Sequence, residues 1–304
     1  MCDISLVVVS YNSDYSKLFR TLYSIIIQKN IDFEIIIADD GSENFQKAII
    51  ENWFYENKFI NYKIVKNSQN NGTVVNALSG IRLARGKYIK QLSPGDFLYN
   101  NTVLNKLLLY LEKNDLKLCF GKAVSYKFDI ESKKIEIVNS CAPRNLKPYI
   151  KHNRRKIQKN YLINRDYVNG MAVVGETKLI KNYLEKLVGH VKYAEDCIYI
   201  LMVANGIELF YWDECLIWYE IGAGISTSKS DVWGKRIYDD NRECFKILKE
   251  ECPEWEKAYK INFEKSFLYY LHKVKRKVSI QKSLHAEANN NVDLMKLKEI
   301  LGID

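Results

Sequence analysis

Proline is scarce, with 4 in 304 residues, and no Gly/Ser-rich tract interrupts the chain. Long flexible linkers and extended tails are therefore not expected. No run approaches the ~18 consecutive apolar residues of a membrane-spanning helix. The N-terminus enters a strand-like segment at once, so no secretory signal is expected either. The 7 cysteines are odd in number, scattered and without a Cys-x-x-Cys pair. That argues against a disulfide framework or a zinc knuckle and for a reducing, cytoplasmic setting. Acidic residues are missing altogether from 137 to 165, while Arg144, Lys147, Lys151, Arg154, Arg155, Lys156, Lys159 and Arg165 crowd that stretch.

What is present is a packable chain. Apolar residues make up 47% and aromatics 12%, enough to bury a substantial core in two domains or one large one. Lys and Arg number 46 against 37 Asp and Glu, a net charge of +9. Much of that excess sits in two places. Residues 137–165 carry +8, and residues 257–282 carry eight basic side chains against Glu264. The remainder of the chain is net acidic. The basic stretches lack the regular interleaved aromatics of a stacking platform, so a nucleic-acid partner is not expected, and phosphate groups or anionic lipid fit better.

The first hundred residues alternate strand and helix. The nearly unbroken apolar run Ile4–Val9 reads as a strand covered on both faces, and Phe33–Ala38, Tyr62–Val65 and Tyr88–Leu92 read as further strands. Helical periodicity follows the first three, with helices to about Gln28, over Phe45–Phe54 and over Thr73–Ala84. Such alternation predicts a doubly wound α/β sheet, in which ligands bind at the carboxyl edge of the strands. The polar clusters at 10–12, 39–42 and 93–96 all fall at that edge. Further on, a helix over 102–113, a hairpin of 118–127 with 134–138, a strand at Val168–Val174, helices over 178–187 and 194–204 and a strand at 217–221 are expected. Helices over 235–250 and 257–282 and a short terminal helix complete the chain. In the helix over 257–282, Tyr259, Phe263, Phe267, Tyr270, Leu271, Val274 and Val278 line one face. That face is expected to pack on the rest of the chain, and the other reading lays the helix on anionic lipid.

Three acidic groups carry candidate chemistry. Asp39 and Asp40 end a strand, where a carboxylate can accept hydrogen bonds from a base edge or ribose, or can simply close an Asx-turn. Asp96 follows Pro94 and Gly95, where a carboxylate can hold a divalent cation against a diphosphate or belong to an ordinary turn. Glu195 and Asp196 open a helix, either as first-turn acids favoured by its dipole or as a general base facing the crevice.

The run Ser5-Leu-Val-Val-Val-Ser-Tyr-Asn12, the segments Leu22–Gln28 and Phe33–Ser42, the stretch from Asn71-Gly72 to Gly80, and Ala84-Arg-Gly-Lys-Tyr-Ile89 together resemble the family 2 glycosyltransferases of bacterial surface-polysaccharide type. The resemblance implies a GT-A fold, a Rossmann-like mixed sheet flanked by helices. It also implies a GT-A domain over 1–228, with a donor half to about 100 and an acceptor half after it, and a helical extension over 229–304. Tyr11 and Asp39 would contact the nucleobase, with Val9 and Ser10 alongside and Asp40 supporting the turn. Ser93, Gly95 and Asp96 stand at the metal motif, with Asp96 as the metal ligand for Mn2+ or Mg2+. Asp196, with Glu195, would be the base of an inverting transfer from a UDP-sugar to a glycan or lipid-linked glycan, at the inner face of the membrane. The chain departs from the family pattern at Ser93 and Gly95, where acids are usual, and at Asn76-Ala77, where an Arg is common. It also lacks a His near Gly222–Thr227. A silent nucleotide-sugar-binding protein is the main alternative. A sugar nucleotidyltransferase would need a Gly-rich basic loop where this chain has Ser10-Tyr-Asn-Ser13.

Overall fold

The computed structural model describes residues 2–138, 141–222, 230–284 and 292–303. Its centre is one mixed sheet of nine strands among these residues. Strands β1 (Ile4–Ser10), β2 (Phe33–Asp39), β3 (Tyr62–Lys66) and β4 (Tyr88–Leu92) pair in parallel in the order β3-β2-β1-β4. Every residue of β1 and β2 is buried, which explains why they are apolar but for Ser5, Ser10, Glu34 and Asp39. Alternation then divides the core. Val7, Val9, Ile36 and Ala38 face one layer of helices, and Leu6, Val8, Ile35 and Ile37 face the other.

Helices α1 (Tyr15–Ile26), α2 (Lys47–Glu56) and α4 (Val103–Lys113) cover the second face, and α3 (Thr73–Ile81) covers the first. Beyond β4 the sheet turns antiparallel. The two-residue strand β5 (Phe97–Leu98) lies at the far edge. The hairpin of β6 (Leu118–Asp129) and β7 (Lys134–Ile137) forms as expected, its turn closed by Ser132 N–H donating to Asp129 at 2.8 Å. Short helices α5 (Lys147–Ile150) and α6 (Arg154–Gln158) and a π-helical turn, Lys159–Ile163, occupy the basic stretch. One of its charges is tied down in the structure. Arg144 and three further N–H donors, from the Arg144 and Asn145 backbone and the Asn160 amide, converge on the buried Asp166.

The strand expected at Val168–Val174 is shorter and later. Gly170–Ala172 forms a 3-10 turn, and only Val173–Glu176 is β8, antiparallel to both β4 and β6. Lys90 explains the shift. Fully buried on β4, it donates to the carbonyl of Met171 and to that of Gln91, the latter at 2.7 Å, so the segment before β8 turns inward to satisfy it. Helices α7 (Thr177–Leu187) and α8 (Cys197–Ala204) follow, and β9 (Phe210–Glu220) runs parallel to β6.

The last part is helical. Helices α9 (Asp231–Glu251) and α10 (Glu256–Phe263) insert Phe245, Leu248 and Ile261, and the 3-10 turn between them inserts Trp255, into the same core layer as α7 and α8. The single helix expected over 257–282 is two. Glu264 is extended at ψ 120°, and the Ser266 hydroxyl accepts the Tyr269 N–H at 3.3 Å, capping a new helix, α11 (Phe267–Leu284). The expected apolar face also divides. Tyr259 and Phe263 pack inward, whereas Phe267, Tyr270, Leu271, Val274 and Val278 are exposed, so that part of the face does not pack on the rest of the chain. On the opposite side of α11, Arg276 turns inward and donates to the buried Asn262 at 2.8 Å. The terminal helix α12 (Leu294–Leu301) buries Leu297, Ile300 and Leu301 on the α1 side. No helix among the described residues is long and apolar enough to cross a membrane.

Candidate active site

Register brings the first three polar clusters together. Ser10 lies opposite Asp39 and Val8 opposite Leu92, so the loops leaving β1, β2 and β4 emerge side by side at the carboxyl edge. They border a cavity of about 880 Å³, closed on the other side by the 165–171 turn, the 193–196 turn and α9.

The loop after β2 is held by its own acids. Asp39 accepts the Ser42 N–H at 2.8 Å and the Ser42 hydroxyl at 2.6 Å, and Ser42 in turn accepts the Asn12 N–H at 2.7 Å. Asp40 accepts the Asn67 amide and the Asn71 N–H, both at 3.0 Å, and the Gly72 N–H at 2.8 Å. Gly72 must be glycine there. Its φ is +91°, and a Cβ would fall 2.5 Å from the Lys192 carbonyl oxygen. Asp40 borders the cavity, while Asp39 is buried behind it. Val9, Ser10 and the half-exposed Tyr11 complete this wall. Asn76 is buried and donates to the carbonyls of Ser10 and Ala38, tying the ends of β1 and β2 together.

The 93–96 turn is equally constrained. Gly95 N–H donates to the Thr21 hydroxyl at 3.0 Å, the Tyr126 hydroxyl donates to the Gly95 carbonyl at 2.6 Å, and Glu220 N–H donates to Asp96 at 3.2 Å. Gly95 has φ +104°, and a Cβ there would meet a Glu220 carboxylate oxygen at 2.3 Å. Glu220 thus fills the space beside the turn, with both its oxygens held by Lys17 at 2.6 and 2.7 Å. Burial pushes the Asp96 carboxyl up to about 7, and burial likewise draws the neighbouring Lys90 ammonium down to about 7, each charge partly offsetting the other's shift. Among the described residues, no three His, Cys, Asp or Glu side chains gather to hold a metal ion. Asp96 is the one motif acid, and Glu220 beside it is already neutralised by Lys17. These residues do not form a metal site by themselves.

Glu195 and Asp196 sit across the cavity. Asp196 occupies the N-cap position of α8, yet its side chain makes no capping bond. The capping role open in the sequence is therefore not the one it plays. Both acids face the cavity. Burial first, and the charge of Asp196 second, push Glu195 up to about 8, while the Gln91 amide donates to it at 3.2 Å. Burial, with the negative charge of Asp240 added, holds Asp196 above the usual carboxylate range. Burial thus favours a proton on Glu195 near neutral pH.

The turn before the pair is fixed by α9. Asp240 accepts the backbone N–H groups of Lys192, Tyr193 and Ala194 at 3.2, 2.6 and 3.0 Å. Trp233, Arg236, Ile237 and Asn241 of the same helix line the cavity, as do Arg165 and Tyr167. Sequence reasoning did not single out the α9 residues or Tyr167, and it took Arg165 only as one charge in a basic stretch. The one signal for α9 was its helical spacing, 233, 236, 237, 240 and 241. The stretch 223–227, where no His completes the family pattern, lies outside the described residues.

Comparisons with known proteins identify the family and the fold. The model of Glycosyl transferase family 2 matches residues 5–176. An uncharacterized glycosyltransferase of Haemophilus influenzae is 26% identical over 98% of this chain and 84% of its own length. One from Methanocaldococcus jannaschii is 28% identical over 72% of this chain and 70% of its own. Among solved structures, S. aureus TarS residues 1–349 in complex with UDP-GlcNAc align with TM-score 0.59 at 16% identity, over 93% of this chain and 81% of that one. The mannosyltransferase PcManGT of Pyrobaculum calidifontis, in complex with GDP-Man and Mn2+, aligns with TM-score 0.58 at 12% identity, over 98% and 80%.

Proposed function

Because this chain belongs to glycosyl transferase family 2 and has the GT-A fold, we propose that it transfers a sugar from a nucleoside-diphosphate donor to a glycan hydroxyl with inversion. One observation carries the mechanism. Asp196 stands at a helix start with no capping duty, facing the cavity beside a carboxyl that holds its proton. Asp196 takes the proton of the acceptor hydroxyl as that oxygen bonds to the anomeric carbon. The bond from that carbon to the diphosphate oxygen breaks on the opposite face, and the electron pair leaves with the nucleoside diphosphate. A single in-line displacement of this kind inverts the configuration.

The donor is read as a UDP-sugar, a choice supported by the UDP-GlcNAc bound to TarS. Val9, Ser10 and Tyr11 border its nucleoside side, the Asp39–Asp40 turn shapes that wall, and Ser93 and Asp96 border the diphosphate, with Gly95 setting the turn between them. Family membership and the Mn2+ of the Pyrobaculum complex support a divalent cation, Mn2+ or Mg2+, which would neutralise the diphosphate beside Asp96. Since the residues present do not form a metal site, no step passes through it. The acceptor is read as a glycan or lipid-linked glycan in surface-polysaccharide synthesis at the cytoplasmic face of a membrane. Exposed Phe267, Leu271, Val274 and Val278 on α11, near exposed Lys273, Lys275 and Lys277, support contact with an anionic membrane surface. A thermal-shift panel of nucleoside diphosphates tests the reading. Stabilisation by UDP supports the donor site, no response to any member argues against it, and binding without turnover of any donor favours the silent nucleotide-sugar-binding protein.

A further inference from the structure

Two guanidinium groups in the cavity wall have no structural duty of the kind Arg85 and Arg144 perform for the buried Glu34 and Asp166. Arg236 lies 4.6 Å from the ring centroid of Trp233 and 5.4 Å from that of Tyr193, and these two rings meet edge to face at 5.0 Å. Arg165 lies 5.9 Å from the Tyr167 ring and 5.4 Å from the Phe263 ring. Among the described residues, neither is in an ion pair with a carboxylate. A guanidinium held over aromatic rings keeps a forked N–H edge that can grip two phosphate oxygens at once.

The acids of the same cavity cannot do this work, since Asp40 is spent on the Asn67–Gly72 loop, Glu220 on Lys17, and Asp96 stands alone. Tyr193, the ring shared by the Arg236 stack, is pinned by Asp240 three residues before Asp196. The stack and the acid that attends the anomeric centre are therefore parts of one rigid unit. Resting on the donor-site reading above, we propose that Arg236, assisted by Arg165, binds the donor's diphosphate directly and supplies the charge neutralisation that the depleted metal motif lacks. Departing nucleoside diphosphate then leaves against two fixed cations.

The test is calorimetric titration of the full chain with UMP and UDP, and with GMP and GDP in parallel, in EDTA. Wild type, Arg236→Ala, Arg236→Lys and Arg165→Ala are compared, with melting curves to verify folding. The wild type is expected to prefer diphosphate over monophosphate without metal. Arg236→Ala is expected to cut that preference roughly 10- to 100-fold while leaving monophosphate affinity within about twofold. The lysine variant, which keeps the charge without the fork, falls between. An unchanged preference in both alanine variants overturns the proposal, as does a wild-type preference that appears only when Mg2+ or Mn2+ is added. An acceptor phosphate is the rival source of the same chemistry. A rise in acceptor KM with donor KM unchanged in Arg236→Ala assigns the cation there and overturns the donor assignment. A wild type that binds no nucleotide removes the donor-site reading itself, a result distinct from either.

Discussion

Asp240 offers the sharpest perturbation of the geometry that places Glu195 and Asp196. Its carboxylate is buried and takes three backbone N–H groups of residues 192–194. Hydrogen bonds to a charged acceptor contribute about 1.5–3 kcal/mol each, and a buried donor left without a partner costs about 1–3 kcal/mol. The three share one acceptor and are not additive. Asp240→Asn keeps one oxygen and turns an amide toward at least one N–H, so a loss of about 2–3 kcal/mol is expected. At roughly 2–4 °C per kcal/mol for a chain somewhat shorter than this one, that is a fall of about 4–12 °C in melting temperature. The kinetic consequence is separate. A turn that relaxes by a fraction of an ångström misplaces Asp196, so kcat should fall by about tenfold or more with nucleotide affinity little changed. Scanning calorimetry and donor turnover read the two effects. An unchanged melting temperature with unchanged kcat would refute the assignment of Asp240 as a positioning residue.

Other expectations follow from the same site. Since burial and Asp240 raise Asp196 above the ordinary carboxylate range, the acid limb of kcat/KM should lie above pH ~4. Activity should be lost as pH falls through that raised value, because only the ionised form is a base, and a limb at or below pH 4 would contradict this. Gly95→Asp, which restores the motif acid in sequence, should lower the melting temperature. At φ +104° and 2.3 Å from Glu220, a side chain is expected to cost about 1–3 kcal/mol, and a thermal melt at or above wild type would contradict it. Replacing Phe267, Leu271 and Val274 of α11 with Ser should weaken sedimentation with phosphatidylserine vesicles without changing turnover of a soluble donor. Unchanged sedimentation would remove the membrane from the account.

Parts of this fold are plain in the sequence for a physical reason. A strand covered on both faces is mostly apolar, and β1 and β2 are apolar but for Ser5, Ser10, Glu34 and Asp39. Helices with one buried face announce themselves by period, as α4 does. The break at Glu264–Ser266 is hidden because apolar spacing continues through it, and only burial tells Phe263 from Phe267. The turn at 170–172 is hidden because its cause, buried Lys90, is eighty residues away. At the site, the turn acids and the Glu195–Asp196 pair could be named from the chain, but not their duties. Asp39 and Asp40 close their turns with neighbours that local sequence partly reveals. Arg165 and Arg236 gain their setting from rings that only tertiary structure brings near.

The central claim is that Asp196 is the base of a sugar transfer whose donor lies along the carboxyl edge of β1, β2 and β4. Release of nucleoside diphosphate from a panel of nucleotide sugars, comparing wild type with Asp196→Asn, tests it most directly. The wild type should turn over at least one donor, and the variant should fall by about 10²- to 10⁴-fold while still binding that donor within a few-fold. A variant that binds and turns over as the wild type does would contradict it.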